Sequence, residues 1–281
     1  KSTGIHGEII INSGILNINA EKSTAIGITT AKAVQNGYDI IINGGNITAK
    51  GYQTGIGASG SGSGAARNAN IIINGGTVSA SGSIRGIGGN NPNADNGTVT
   101  INGGNITATT TGTLSNSSGI QATNSITING GNVTATGSGA NSSGINILNP
   151  TDARIEINGG SIKATGTNSI TSGSGANIKT PDPVNKYDKP LVATDISIPG
   201  LGNAEVGLGA GKSITEADGS LRCYIPKNTK AFYVTHTNDE GKQVIYYTED
   251  IFGENGNELK LYDGPPCSCD EDSLQAVIDL P

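Results

Sequence analysis

Residues 126–137 read Ile126-Thr-Ile-Asn-Gly-Gly-Asn-Val-Thr-Ala-Thr-Gly137, and versions of this stretch occur six times in the first 178 residues. Aligned on the first asparagine, the copies lie 27 to 31 residues apart, at Asn12, Asn43, Asn74, Asn102, Asn129 and Asn158. A nearly constant spacing of this length is typical of stacked structural repeats. The stretch therefore indicates a structure built from six similar units.

Each copy contains two segments in which apolar residues alternate with polar ones. In the fifth copy, Ile126 and Ile128 precede the asparagine, and Val133 and Ala135 follow it. Alternation with a period of two predicts a β-strand with one buried face. The glycines after the asparagine permit positive φ, so they predict a sharp turn between the two strands.

A short Gly/Ile cluster, such as Gly86-Ile-Gly88, follows at a variable distance in five copies and predicts a third strand. Three short strands per unit predict a parallel β-helix of about six coils, wound right-handed like other parallel crossovers. Coils about 4.8 Å apart place equivalent residues in columns. We expect the corner asparagines to form a ladder in which each amide donates to the next. The alternative is a β-sandwich of hairpins, because Asn-Gly also favours hairpin turns, but hairpins give no reason for the same apolar columns to recur.

The composition divides the chain into two parts. Residues 1–178 hold 34 of the 44 glycines but only 2 of the 10 aromatic residues and 14 of the 40 charged ones. We assign 1–178 to the β-helix and 179–190, with three prolines, to an extended linker. Residues 191–264 alternate like an antiparallel β module that caps the helix, and 265–281 form an acidic tail containing cysteines. The expected fold class is all-β.

Charge and hydropathy exclude two classes of partner. The formal net charge is −6, the wrong sign for a general nucleic-acid binder. No apolar run approaches the roughly 20 residues of a membrane-spanning helix, so we expect no membrane span. The start at Lys1, without an initiator methionine, is expected of a processed or trimmed chain.

The repeats, with Ile126–Gly137 and Gly86-Ile-Gly-Gly89 as examples, resemble those of secreted cell-surface proteins of Gram-positive anaerobes that are described as adhesin-like or carbohydrate-binding β-helices. The resemblance covers residues 8 to about 175. Residues 215–226 and 231–235 resemble the small β module that often follows such repeats. The resemblance implies an extracellular location on a bacterial surface and a structural or adhesive role.

The outward positions of the second strand are the candidate ligand-binding residues, because stacking turns them into two polar columns. They are Asn46, Thr48, Thr77, Ser79, Asn105, Thr107, Asn132 and Thr134. Such a shelf of amides and hydroxyls is suited to hydrogen-bonding a cell-surface polysaccharide. The alternatives are an ordinary solvated sheet exterior, where threonine is common, and an ice-binding array, which the asparagines disfavour.

The outward positions of the first strand begin with isoleucine at Ile10, Ile41 and Ile72 and end with polar residues. Three exposed isoleucines in adjacent coils would form an apolar stripe, which normally marks a contact surface. We expect either the C-terminal part of this chain or another molecule to cover the stripe, with the first slightly favoured.

A β-helix polysaccharide lyase needs clustered carboxylates and a basic residue. No acidic pair recurs at one position in adjacent coils, and the grouping of Asp152, Arg154 and Glu156 stands in one coil. We therefore expect no catalytic residues, no metal site and no cofactor, and we expect that the protein is not an enzyme.

Three cysteines, Cys223, Cys267 and Cys269, are the candidate assembly residues. Cys267 and Cys269 are too close in sequence to pair comfortably with each other, so at most one of them bridges to Cys223. The remaining thiol suggests an intermolecular disulfide, or is free, and metal binding is disfavoured because no four-ligand set is complete.

The sequence thus predicts a non-catalytic extracellular surface protein that self-associates into a fibre or surface assembly through coil edges and the tail. A monomeric polysaccharide-binding module is the alternative function, followed by a polysaccharide lyase.

Overall fold

The computed structural model describes residues 4–22, 24–28, 39–58, 70–89, 97–148, 153–167, 178–179 and 182–262. Every regular element in these ranges is a β-strand, and none is a helix that could span a membrane. Residues up to Lys179 form three parallel sheets, which confirms the predicted parallel β-helix. The coils are numbered 1 to 6 here after the asparagines Asn12 to Asn158.

Each sheet of the β-helix collects one strand from successive coils. Sheet I contains β2 (Ile9–Ile11), β5 (Asp39–Ile42), β8 (Asn70–Ile73), β11 (Thr98–Ile101), β14 (Ser125–Ile128) and β17 (Arg154–Ile157). Sheet II contains β3 (Ile15–Ala20), β6 (Asn46–Gly51), β9 (Thr77–Gly82), β12 (Asn105–Thr110), β15 (Asn132–Thr136) and β18 (Ser161–Thr165). Sheet III contains β1 (Ile5–His6), β4 (Ile26–Ile28), β7 (Thr54–Ala58), β10 (Arg85–Gly88), β13 (Ser118–Ala122), β16 (Ser143–Ile147) and β19 (Ile178–Lys179).

The core of the β-helix consists of apolar columns, because the parallel register places equivalent residues of successive coils side by side. On sheet I, Ile42, Ile73, Ile101 and Ile128 pair in this way and are fully buried. On sheet II the columns are Ile/Val and Ala, and on sheet III a column of isoleucines runs from Ile26 to Ile145. Small and β-branched side chains of the coils themselves therefore fill these columns.

The predicted asparagine ladder is present at the corner between sheets I and II. Each step is a hydrogen bond of 2.7–2.8 Å between the side-chain amides of adjacent coils. The donating direction differs from the prediction: each Nδ2 donates to the Oδ1 of the preceding coil, as Asn43 does to Asn12. Each inner amide thereby uses one N–H and one oxygen lone pair, which leaves its second N–H directed away from the ladder.

The corner also depends on glycine. Gly104 has a φ of 93°, and a Cβ there would lie 2.5 Å from the carbonyl oxygen of Gly76 in the coil before it. Positive φ and close stacking of backbones both exclude a side chain at this point. The second glycine of the Asn-Gly-Gly motif is therefore a requirement of the stacking itself.

The C-terminal module contains two antiparallel sheets. Sheet IV pairs β20 (Leu191–Ser197) with β23 (Ser220–Pro226), and sheet V has the order β22 (Gly211–Ile214), β21 (Glu205–Leu208), β24 (Phe232–Thr237), β25 (Gln243–Thr248), β26 (Lys260–Leu261). The expected alternation is confirmed, since Leu221, Cys223 and Ile225 are buried together with Val234 in a separate small core.

Residues 182–190, which belong to the predicted extended linker, pack on the last coil of the β-helix and cover it together with the module. The backbone N–H of Ile157 donates to the oxygen of Val184 at 2.8 Å, and the N–H of Val184 donates to Ile155 at 2.9 Å. Leu191 and Tyr224 complete the apolar cluster of the β-helix core. The coil edge after coil 6 is thus occupied by the chain itself, as a cap requires.

We predict that Gly104→Ala lowers the free energy of unfolding by about 2–4 kcal/mol, because alanine adds backbone strain and an overlap that the stacked coils cannot relieve. Equilibrium urea unfolding followed by circular dichroism measures the change. Gly89→Ala is the matched control, since a Cβ there meets no atom within 4 Å. Equal stability of the two variants would show that the corner does not need glycine.

Candidate functional site

The candidate ligand-binding residues form two columns on the outer face of sheet II, as the sequence predicted. The column at the start of the strands, called the inner column, consists of Asn46, Thr77, Asn105 and Asn132 in register. The outer column, two residues further along each strand, consists of Thr48, Ser79, Thr107 and Thr134. Six of the eight are exposed, whereas Thr48 and Asn132 are half-buried. The structure therefore brings all eight onto one surface.

This surface has hydrogen-bonding capacity to spare. Within the described part of the chain, the side chains of Asn46 and Asn105 make no hydrogen bond. The ladder amides of Asn74 and Asn102 lie beside the inner column, and each retains one N–H after its ladder bonds are made. The face consequently offers rows of neutral donors and acceptors at coil spacing.

The module docks on this same surface at coil 5, which the sequence did not predict. Asn132 binds the peptide backbone of β22 through both atoms of its amide: Nδ2 donates to the oxygen of Ile214 at 2.7 Å, and the N–H of Ile214 donates to Oδ1 at 2.8 Å. Alongside, the N–H of Gly131 donates to the oxygen of Lys212 at 2.7 Å. One member of the predicted column is thus an internal docking residue.

Glycines allow the β21–β22 hairpin to approach the β-helix so closely. A Cβ on Gly211 would lie 2.4 Å from the oxygen of Asn129, and one on Gly130 would lie 2.9 Å from the Cα of Gly211. Backbones in such contact have glycine on both sides. In the sequence, the pair Gly209 and Gly211 indicates a tight turn. The sequence does not indicate that this turn packs against coil 5, because that contact forms only in the folded chain.

A cleft of about 380 Å³ lies between the hairpin and the coils that precede it. Its floor includes Asn74, Asn102 and Asn105, and its wall includes Glu205, Lys212 and Ile214. Lys212 Nζ lies 2.7 Å from Glu205 Oε1 in an exposed ion pair, so the wall carries a donor and an acceptor but no net charge. Ile214 is 37% exposed and supplies an apolar edge.

The grouping of acidic and basic residues in coil 6 has a structural role. Arg154 Nε lies 2.8 Å from Glu156, its Nη1 contacts Asp188, and its Nη2 donates to the oxygen of Asn185 at 2.8 Å. The guanidinium therefore ties the last coil to the segment that covers it. Asp152 lies outside the described residues. Among the residues that are described, no group of three or more His, Cys, Asp or Glu is placed to hold a metal ion.

Ionisable groups with shifted pKa values lie away from the polar columns. Asp195 forms a bidentate pair with Arg222, with distances of 2.7 and 2.6 Å, and this hydrogen bonding lowers the pKa of the carboxyl group. Burial raises the pKa of Tyr224, and burial lowers the pKa of Arg85 to about 10. Tyr224 and Arg85 are buried in the module and in sheet III, the Asp195–Arg222 pair lies at the surface of sheet IV, and none of the four lines the cleft.

Cys223 is a free, buried thiol in the core of the module. Its Sγ lies 3.5 Å from the oxygen of Thr194, and burial raises the pKa of the thiol well above its usual range. Cys267 and Cys269 lie outside the described residues. The predicted pairing between these cysteines stays a prediction.

The apolar stripe on sheet I lies on coils 1 to 3, before the coils on which the module docks. Ile10 is 58% exposed, whereas Ile41 and Ile72 are half-buried. The contacts described between module and helix are on coils 5 and 6, so the described part of the module does not provide the expected intramolecular cover for coils 1 to 3.

Comparison with models of protein families, with curated proteins and with solved structures gave no match.

We predict that Cys223 resists aromatic disulfide reagents in the native protein at pH 8. Because burial raises its pKa, the reactive thiolate is scarce at this pH and would appear only above the raised value. The measurement is the labelling rate in a Cys267→Ser/Cys269→Ser variant, in which Cys223 is the one remaining cysteine. The same variant in urea should label at the rate of a free peptide thiol. Rapid labelling of the native protein would place the thiol at the surface.

Proposed function

We propose that this protein is a non-catalytic adhesive protein of a bacterial cell surface that binds a polysaccharide along the outer face of sheet II. The observation that carries the proposal is the in-register exposure of amide and hydroxyl columns over coils 2 to 4. The resemblance of the repeats to those of secreted adhesin-like proteins supports the extracellular location. The absence of a recurring acidic pair in the repeats supports a binding role over a lyase role.

The spacing of the columns suits an extended sugar chain. Successive coils place a polar group about every 4.8 Å, which is close to the length of one pyranose residue in an extended polysaccharide. Side-chain amides can hydrogen-bond two neighbouring hydroxyl groups at once. Each contact contributes only about 1 kcal/mol net, so affinity must come from several contacts in a row. The columns contain no aromatic ring, and recognition would rely on hydrogen bonds rather than stacking.

We expect an array of neutral polysaccharides and oligosaccharides to retain the protein, and we expect Asn105→Ala/Thr107→Ala to weaken the retained interaction roughly tenfold, through the loss of about two hydrogen bonds. The matched control is Thr100→Ala/Thr127→Ala, which removes two outward hydroxyls from the neighbouring sheet I. Equal weakening by both pairs would argue against a specific face, and an array without any retained glycan would reject the function.

Self-association is the second candidate function, favoured by the edge of coil 1. The side chains of Ile10 and Ile15 are 58% and 78% exposed there, and the strands that carry them have a neighbouring strand on one side within the described residues. Exposed strand edges with apolar side chains pair readily with another chain. At the other end of the β-helix, the edge of sheet I pairs with Val184 and β18 of sheet II packs against β23 of the module. Association through coil edges would therefore join two first coils in a closed pair, not build a continuous fibre.

We predict a concentration-dependent dimer in sedimentation velocity that Ile10→Lys/Ile15→Lys abolishes, because two lysines at one edge repel and cannot be buried without cost. Leu114→Lys tests specificity, since Leu114 is 50% exposed but lies in coil 4. A monomer at all concentrations would remove this candidate, and long polymers would show that another surface mediates assembly.

A further inference from the structure

The docked hairpin closes one end of the polar face. At coil 5 both polar atoms of the Asn132 side chain are occupied by the backbone of Ile214, so the inner column offers free polar side chains on coils 2 to 4, namely Asn46, Thr77 and Asn105. The backbone contact of Gly130 with Gly211 leaves no room for a ligand to pass beneath the hairpin. A polymer lying on the inner column would meet a wall after coil 4.

The cleft lies where the face meets this wall, and its chemistry suits a sugar residue. Asn74, Asn102 and Asn105 line its floor, and Asn74 and Asn102 each retain one N–H beyond their ladder bonds. Glu205 and Lys212 add a carboxylate acceptor and an ammonium donor from the wall. The paired charges cancel, which favours a neutral polyol over a charged ligand. A volume of about 380 Å³ is within the range of small-ligand sites.

We infer that the cleft binds the terminal residue of a neutral polysaccharide whose following residues lie on coils 4, 3 and 2. This inference depends on the proposed function, because it assigns the polymer a direction and an end on the same face. The wall supplies contacts that an internal residue cannot reach without the polymer passing through the hairpin. The protein therefore recognises chain ends, and the number of sites on a polysaccharide equals the number of its matching ends.

The test is the stoichiometry of binding to chains of different length. Linear β-1,4-linked glucose, N-acetylglucosamine, xylose and mannose chains of three residues are compared with long, water-soluble substituted forms of the same backbones, namely hydroxyethyl cellulose, glycol chitin, arabinoxylan and galactomannan. Isothermal titration calorimetry gives the molar ratio, and light scattering gives the mass of the complex. We expect one protein molecule per chain at both lengths. A ratio that rises with chain length would overturn the inference and leave the proposed function standing.

Glu205→Gln supplies the second readout, with Glu240→Gln as the matched control. Both glutamates are exposed and paired with a lysine, Glu205 with Lys212 in the cleft and Glu240 with Lys242 on the turn after β24. We expect Glu205→Gln to weaken binding of the short chains at least fivefold and Glu240→Gln to change it less than twofold. Equal affinity of the two variants would also overturn the inference. Failure of every glycan to bind, on the array as well as in these titrations, would instead reject the proposed function on which it depends.

Discussion

The structure depends on one constraint: each coil must return the chain to the position directly above its predecessor. The parallel hydrogen bonds of the three sheets enforce this register. Residues at equivalent positions of successive coils therefore form a column and share one environment. The isoleucines Ile42, Ile73 and Ile101 are buried because their column faces inward. The amide ladder forms because the corner repeats at the same point. A side chain at Gly104 would violate the same constraint.

Most of the β-helix could be predicted from the sequence, because residues that recur at the same position in each repeat contact one another when the coils stack in register. The alternation of apolar and polar residues around Asn129 identified two strands, and the spacing of the asparagines identified the stacked repeats. The third strand was harder, since Ser118, Gln121 and Asn146 are buried on sheet III although they are polar. On sheet III the alternation of apolar and polar residues therefore does not predict which side chains are buried. The amide of Asn146 donates to Gln121 at 3.1 Å, so these buried groups hydrogen-bond to one another along the column.

The docking of the module could not be predicted in the same way. Asn105 and Asn132 occupy equivalent positions, and each is followed by an apolar residue and threonine. Only the second binds Ile214, which lies 82 residues further along the chain. The difference arises from where the module is placed after coil 6, and no local pattern encodes that placement. The docking of Arg154 against Asp188 has the same origin: the sequence showed a charged grouping, whereas the fold shows a tie between the last coil and its cover.

The internal use of Asn132 bears on what its column can bind. Its amide recognises a peptide group by offering a donor and an acceptor side by side, while its strand keeps the regular register with β12 and β18. Asn105 presents the same amide one coil earlier, on a backbone held by sheet and ladder hydrogen bonds on both sides. A rigid site loses little conformational entropy when a ligand binds, because folding has already fixed its backbone. Weak individual hydrogen bonds can therefore add along the face, provided that the ligand repeats at the spacing of the coils. A polysaccharide meets this condition with hydroxyl groups on every residue, and in the proposed binding mode the hairpin that uses Asn132 would mark where such a chain ends.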